Sequence, residues 1–206
     1  MKIKVCGMRD PDNIAGIAAL KPDCMGFIFY PDSPRYAGGM APEALDVLSS
    51  ETKRVGVFVN ASMPEILYLA ERYSLDMIQL HGDETPGFCT ALRHQFPVIK
   101  AFGIASEEDF DWVAEYAGTC DYFLFDTKTA LRGGSGIRFD HQVLAAYKGE
   151  TNFFLSGGVE LKDAENKMNI NSNCVLLDIN SRFENSPGLK DIAKVADFIT
   201  TVRKNN

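Results

Sequence analysis

Two side chains in this sequence have the chemistry to share the work of moving protons. Cys6 follows a short apolar run at residues 2–5 and precedes a glycine, in the string Lys4-Val5-Cys6-Gly7-Met8. Asp126 closes the most apolar run of the chain, Tyr122-Phe123-Leu124-Phe125. A thiolate removes protons. A carboxyl group at the mouth of an apolar strand is partly desolvated, which raises its pKa and lets it hold a proton near neutral pH. Such opposed duties suit an isomerisation, which needs no cofactor. A thiol base requires a lowered pKa, for which Lys4 or a helix N-terminus is the expected source. Each residue also has an ordinary reading. Free cysteine packs as a small hydrophobe, and an aspartate here serves equally as a helix cap or as a salt-bridge partner for Lys128.

Binding groups accompany this pair. Arg35 lies in Tyr30-Pro31-Asp32-Ser33-Pro34-Arg35-Tyr36, where two prolines stiffen the loop. A stiff loop can hold a guanidinium fork for a substrate carboxylate; the alternative is a surface arginine paired with Asp32. Two glycine-rich turns, Arg132-Gly133-Gly134-Ser135-Gly136 and Ser156-Gly157-Gly158, let backbone N–H groups approach an anion. Asn180-Ser181 adds polar atoms after the last apolar run. One glycine pair alone signals only a tight turn. Gly134, Ser135, Gly136, Gly157, Gly158, Asn180 and Ser181 together form a candidate phosphate cradle. His81, in Gln79-Leu80-His81-Gly82-Asp83-Glu84, either lines the site or orients its loop. His94 and His141 fall on helical segments, and no metal cluster is visible in the sequence.

The elements that must position these groups alternate. Apolar runs rich in Val, Ile and Phe occupy residues 2–5, 24–29, 54–59, 77–80, 98–102, 122–125, 152–155 and 174–177. Their continuous apolarity fits strands buried on both faces. Segments of helical period lie between them. Asp12 and Asn13 open the first, and Ser106 with Asp109 reads as a capping box. Pro42, Pro64 and Pro187 stand where first helical turns begin. Leu189, Ile192, Ala196 and Ile199 form one stripe of a last helix. Eight parallel βα units of about 26 residues predict an α/β fold, a single-domain (β/α)8 TIM barrel over residues 1–206. In such a barrel the polar residues just after each strand form the active site. A doubly wound sheet would carry a G-x-G-x-x-G after an early strand, and none follows Val5.

Composition limits the partners. The 206 residues are 46% hydrophobic and 24% charged, the balance of a globular protein able to bury a full core. A net charge of −7 gives no global basic field for nucleic acid or an anionic membrane. The five cysteines are odd in number and irregular in spacing, without a Cys-x-x-Cys, which argues against a disulfide framework or zinc site. No leader pattern or membrane-length apolar run is present, so a cytoplasmic location is expected. No obligate protein partner is evident, and the expected partner is a small phosphorylated substrate.

Taken in order, these strings resemble the phosphoribosylanthranilate isomerase family, (β/α)8-barrel enzymes of tryptophan biosynthesis. The resemblance also runs through Gly26-Phe27-Ile28-Phe29, Val55-Gly56-Val57-Phe58-Val59-Asn60, Leu155-Ser156-Gly157-Gly158-Val159, Leu177-Asp178-Ile179-Asn180-Ser181, Pro187-Gly188 and Lys190-Asp191. It implies a cofactor-free Amadori rearrangement of N-(5-phosphoribosyl)anthranilate to 1-(2-carboxyphenylamino)-1-deoxyribulose 5-phosphate. It further implies Cys6 as base on the ribose C2 proton, Asp126 as acid on the ring oxygen, and Arg35 on the anthranilate carboxylate. His81 joins the substrate-binding set, and the glycine turns with Asn180 and Ser181 hold the phosphate. Arg182 departs from the family's usual glycine, and at positive φ it would be strained. An indole-glycerol-phosphate synthase would want a lysine-led catalytic set. A non-catalytic barrel binding a phosphorylated metabolite would be favoured by loss of Cys6 or Asp126, and both are present.

Overall fold

The computed structural model describes residues 1–127, 141–165 and 171–205. Eight parallel strands close into a barrel in sequence order: β1 (Lys2–Val5), β2 (Cys24–Ile28), β3 (Lys53–Phe58), β4 (Met77–Leu80), β5 (Val98–Ile104), β6 (Tyr122–Thr127), β7 (Phe153–Leu155) and β8 (Cys174–Ile179). The predicted barrel is therefore the observed one. Several strands outrun their apolar cores: β6 carries Asp126 and β8 carries Asp178 inside the ladder.

The strands are apolar throughout because both faces are covered. Outward side chains such as Val5, Phe27, Leu80 and Phe125 pack under the helices. Inward ones, Cys24, Val55, Ile99, Leu124, Phe154 and Leu176, fill the lower barrel. Side chains two residues apart share a face of a strand. Lys4, Gln79 and Asp178 therefore lie above that apolar floor, each almost wholly buried, and Cys6, His81 and Asp126 form the next tier.

The helices are α1 (Pro11–Ala18), α2 (Met63–Arg72), α3 (Pro86–Arg93), α4 (Asp109–Ala114), α5 (Leu161–Glu165) and α6 (Ile192–Lys204). Asp10, Ser62, Thr85 and Asp191 cap four of them, each side chain accepting a first-turn N–H. Prolines 11, 64 and 86 lie in first turns, whereas Pro42 opens a 3-10 turn, Pro42–Leu45. Pro187 opens no helix: it lies between β9 (Glu184–Ser186) and β10 (Leu189–Lys190), an antiparallel hairpin turned by Gly188 at φ +83°. The last helix buries Val195, Phe198, Ile199 and Val202. Leu189 and Ile192 are exposed because β10 ends the run of helical period before Asp191. The Ser106–Asp109 pair keeps half of a capping box, with Asp109 Oδ2 accepting from Ser106 N at 3.1 Å, and the helix itself begins at Asp109.

Three strand entrances repeat one device. Asp23, Asp76 and Asp121 precede β2, β4 and β6, and their carboxylates accept the N–H of Ile3, Arg54 and Val98 at 2.9, 2.8 and 2.8 Å. An amide near the start of β1, β3 and β5 is thereby paired.

Candidate active site

The mouth of the barrel begins at Gly26. A Cβ there would lie 2.8 Å from Cys6 Sγ and 3.1 Å from Lys4 Cε, so the missing side chain makes room for both groups. Beyond Cys6 the chain bends sharply, with Gly7 N and Met8 N both donating to Gly26 O at 3.0 Å. Gly7 has φ +78°, and its α-carbon is covered by Arg35 Cδ and Asn180 Oδ1, each 2.7 Å from where a Cβ would stand. Glycine is required at this turn on both grounds.

A chain of buried polar contacts crosses the barrel from β8 to β6. Lys4 Nζ donates to Asp178 Oδ2 at 2.8 Å and to Gln79 Oε1 at 2.9 Å. Because Gln79 presents its oxygen to Lys4, its nitrogen faces His81 Nδ1 at 3.2 Å. An amide donating to Nδ1 leaves the hydrogen of the neutral imidazole on Nε2. That nitrogen faces Asp126 Oδ2 at 3.7 Å. His81 therefore lines the mouth, with Gln79 and Asp126 facing its two ring nitrogens. Below it Glu84 holds the loop, accepting from Asn60 N and Gly82 N and pairing with the buried Lys100 at 3.3 Å.

Burial dominates the proton affinities. It pushes the Asp126 carboxyl up to about 6, against the hydrogen bond from Thr127 N. The desolvated acid read from the sequence is present, and the expected partnership with Lys128 falls outside the described residues. Cys6 differs from expectation. Burial lifts the thiol above its ordinary range, outweighing the neighbouring Lys4, and Asp178 adds to the lift. The thiol is therefore protonated at neutral pH, because burial disfavours the thiolate by more than the Lys4 charge favours it, and the Asp178 charge offsets part of that help. Burial opposes the charge on Lys4, but Asp178 and Cys6 outweigh it and hold the ammonium protonated. Asp178 is lifted by burial and drawn down by Lys4, with a net rise. The two shifts favour different forms of the pair. The ion pair is the better description, since Nζ faces Asp178, Gln79 and Cys6 and an ammonium has three hydrogens to meet them.

Arg35 does not pair with Asp32. Its Nε and Nη2 form a fork with Glu184 at 2.9 and 2.6 Å, and the side chain is buried. Glu184 also accepts from Gly188 N at 3.0 Å and from the buried Lys190 Nζ at 2.5 Å. Burial would raise the Glu184 carboxyl, but the Arg35 hydrogen bond and the Lys190 charge hold it below the usual range. Burial lowers Lys190, with Glu184 opposing. Lys190 Nζ further donates to Asn180 Oδ1 at 2.8 Å, and its backbone is clamped in both directions by the Asn13 amide. Sequence reading assigned Glu184 and Lys190 no role. Their signal was Pro187-Gly188, a turn dipeptide between two short polar runs.

The phosphate candidates are divided. Gly134, Ser135 and Gly136 lie outside the described residues. Gly157 and Gly158 follow β7 with φ +77° and +73°, and a Cβ on Gly157 would meet Thr127 N at 2.6 Å and Asp126 Oδ1 at 3.1 Å. Asn180 ends β8, and Ser181 starts the 3-10 turn Ser181–Phe183. Arg182 lies in that turn and is absent from the positive-φ residues, so the feared strain does not arise. Its guanidinium pairs with Glu160 at 3.5 Å.

A sequence model described as N-(5'-phosphoribosyl)anthranilate isomerase matches residues 3–201. The chain belongs to the N-(5'-phosphoribosyl)anthranilate isomerase family. A protein of that name from Parabacteroides distasonis is 48% identical over 206 residues, covering 98% of this chain and 93% of its own. Another from Phocaeicola vulgatus is 45% identical, covering 99% and 98%. Among solved structures, phosphoribosyl anthranilate isomerase from Thermotoga maritima is 30% identical with a TM-score of 0.86, over 99% of both chains. A phosphoribosyl anthranilate isomerase in complex with reduced 1-(o-carboxyphenylamino)-1-deoxyribulose 5-phosphate is 27% identical with a TM-score of 0.81, again over 99% of both.

Proposed function

We propose that this chain performs the isomerisation its relatives are named for, turning N-(5-phosphoribosyl)anthranilate into 1-(2-carboxyphenylamino)-1-deoxyribulose 5-phosphate in tryptophan biosynthesis. The observation that carries the reading is that β1 and β6 bring a buried thiol, Cys6, and a buried carboxyl, Asp126, pushed up to about 6 by burial, to the mouth of one barrel. Asp126 protonates the furanose oxygen, and the ring opens to an iminium at C1. Cys6, as thiolate, then removes the C2 proton, and the C–H electrons form the C1–C2 double bond of an enolamine. His81 Nε2–H steadies the Asp126 carboxylate once its proton has gone.

The remaining groups bind. Arg35 spends Nε and one Nη2 hydrogen on Glu184, while among the described residues Nη1 meets no acceptor and faces the anthranilate carboxylate in this reading. Asn180 gives its oxygen to Lys190, which leaves its Nδ2 hydrogens for an anion. In this reading the phosphate is held there with Ser181, Gly157 and Gly158, and the sequence adds Gly134, Ser135 and Gly136 to the set. Two successive glycines at positive φ support this role, since such backbone is cheap only for glycine and brings N–H groups close to an anion.

The whole chain acts as one catalytic domain, with strands from Lys2 to Ile179 closing one barrel. Among the described residues no helix is long and apolar enough to cross a membrane, and a cytoplasmic location is part of the proposal. Purified protein with substrate and no added cofactor should turn over. Cys6→Ala should lower kcat by about 10²–10⁴-fold while product-analogue binding changes little. Near-normal turnover by this variant would return Cys6 to the role of a core residue.

A further inference from the structure

Asp178 holds the one buried side-chain oxygen among the described residues that lacks a hydrogen bond. Its Oδ2 is taken by Lys4 at 2.8 Å, while Oδ1 is shielded from solvent and meets no donor. The side chain is 4% exposed. A buried carboxylate oxygen without a donor is costly, and a catalytic role is one of the few reasons a native fold keeps such an atom. Lys4 Nζ binds this carboxylate and also interacts with the Cys6 thiol, so the two groups are neighbours through one ammonium. Substituents on the carbon that Cys6 attacks are therefore the ones within reach of Oδ1.

We propose that Asp178 is a further catalytic residue, whose Oδ1 accepts the proton of the substrate's C2 hydroxyl as the enolamine becomes the ketone. The inference rests on the assignment of Cys6 to the C2 proton. When Cys6 has taken that proton, C2 still bears O–H and is doubly bonded to C1. Asp178 takes the hydroxyl proton, and the O–H electrons form the C2=O bond. The C1–C2 π pair takes a proton at C1 from the Cys6 thiol, which returns to thiolate. Asp126 has given one proton to the ring oxygen and Asp178 has gained one, and solvent exchange after product release restores both. Lys4 serves throughout as the fixed counter-charge, because its Gln79 contact holds it in place whichever of its anionic neighbours is protonated.

The test follows the fate of C2 hydrogen in D2O. In Asp178→Asn, product formation should fall by about 100-fold or more. Deuterium should still enter C2 of the recovered substrate, at a rate near that of wild-type turnover, because C–H removal precedes the step that Asp178 serves. An equal fall in exchange and turnover, or normal turnover, overturns the proposal. A second measurement does not depend on the variant's folding. Wild-type protein should bind the reduced product analogue, which carries a C2 hydroxyl, roughly 10- to 100-fold more tightly than its 2-deoxy counterpart, as loss of a hydrogen bond to a charged group predicts. Equal affinities overturn the proposal. Cys6→Ser separates the two assignments. If the base is wrongly assigned, this variant keeps C2 exchange. If only the role of Asp178 is wrong, Cys6→Ser loses exchange while Asp178→Asn keeps turnover.

Discussion

Gly26 and Cys6 compete for one volume: the thiol sulfur lies 2.8 Å from the point where a Cβ on Gly26 would stand. The thiol thus owes its position to a residue on the next strand that contributes no side chain at all. The same point lies 3.1 Å from Lys4 Cε, so the thiol and the Lys4 ammonium are seated together.

Gly26→Ala should therefore move the thiol and the ammonium in one step. Overpacking of this kind costs about 1–3 kcal/mol of stability, and a displaced reacting group costs more in rate than in fold, on the order of 100-fold in kcat. Thermal unfolding beside steady-state kinetics checks this. A variant with wild-type kcat would show that Cys6 has freedom the packing denies it.

The pH profile should carry its limbs in an unexpected order. Asp126 titrates at about 6 and Cys6 above the ordinary thiol range. The active form, acid protonated and thiol ionised, has the same total charge as the abundant form with the proton exchanged between them. A profile of kcat/KM therefore rises through about pH 6 with Asp126 and falls with the thiol, above about pH 9. Alkylation of Cys6 in the free enzyme, followed by peptide mass spectrometry, should accelerate only in the upper range. An inflection near neutrality would mean that Lys4 controls the thiol after all.

Asp126→Asn should be inactive and more stable. The folded-state pKa is raised above the unfolded value of about 3.9, so the folded state binds the proton more tightly. Below about pH 4 both states are protonated and the carboxyl costs nothing. As pH rises through about 6 the penalty grows to about 3 kcal/mol and then stays constant. Asparagine removes the penalty and keeps the bond to Thr127 N through its amide oxygen. Urea unfolding at pH 4 and pH 7 should show equal stabilities at the first and a gain for the variant at the second. A gain of the same size at both would point to packing rather than charge.

Arg35→Met should raise KM and lower kcat/KM by about 10- to 100-fold, as expected for a lost charge-assisted contact. A substrate analogue without the carboxylate supplies the control, because wild type should lose most of its advantage on it. If both proteins suffer the same loss, Arg35 does not touch the carboxylate and is only a partner for Glu184. Lysine in its place should rescue only in part, having no planar fork for Glu184.

The barrel was legible in the sequence because strands buried on both faces cannot hide their apolarity. Cys6, Asp126 and Arg35 were legible because each ends or follows such a run. The acidity of Cys6 was not, since Lys4 is a neighbour in sequence whose charge is directed to Asp178, from the other end of the chain. Glu184 and Lys190 escaped notice because a short hairpin has no periodicity to announce it, and the proline at its turn imitates a helix start. Gln79 lay inside a strand and entered the reading only as part of the string that carries His81. Only closure of the barrel brings its amide between Lys4 and His81.

The Asn13 clamp on Lys190 has a consequence for how this protein comes into being. Cys6, Arg35, His81 and Asp126 all lie in the portion of the chain synthesised before β7. Yet Arg35 and Lys4 find their counter-charges only in Glu184 and Asp178, near the end. A nascent chain that has yet to reach this segment carries both reacting groups beside uncompensated cations. A product truncated before Asp178 would hold Cys6 and Asp126 without the counter-charges that Lys4 and Arg35 meet in the folded protein.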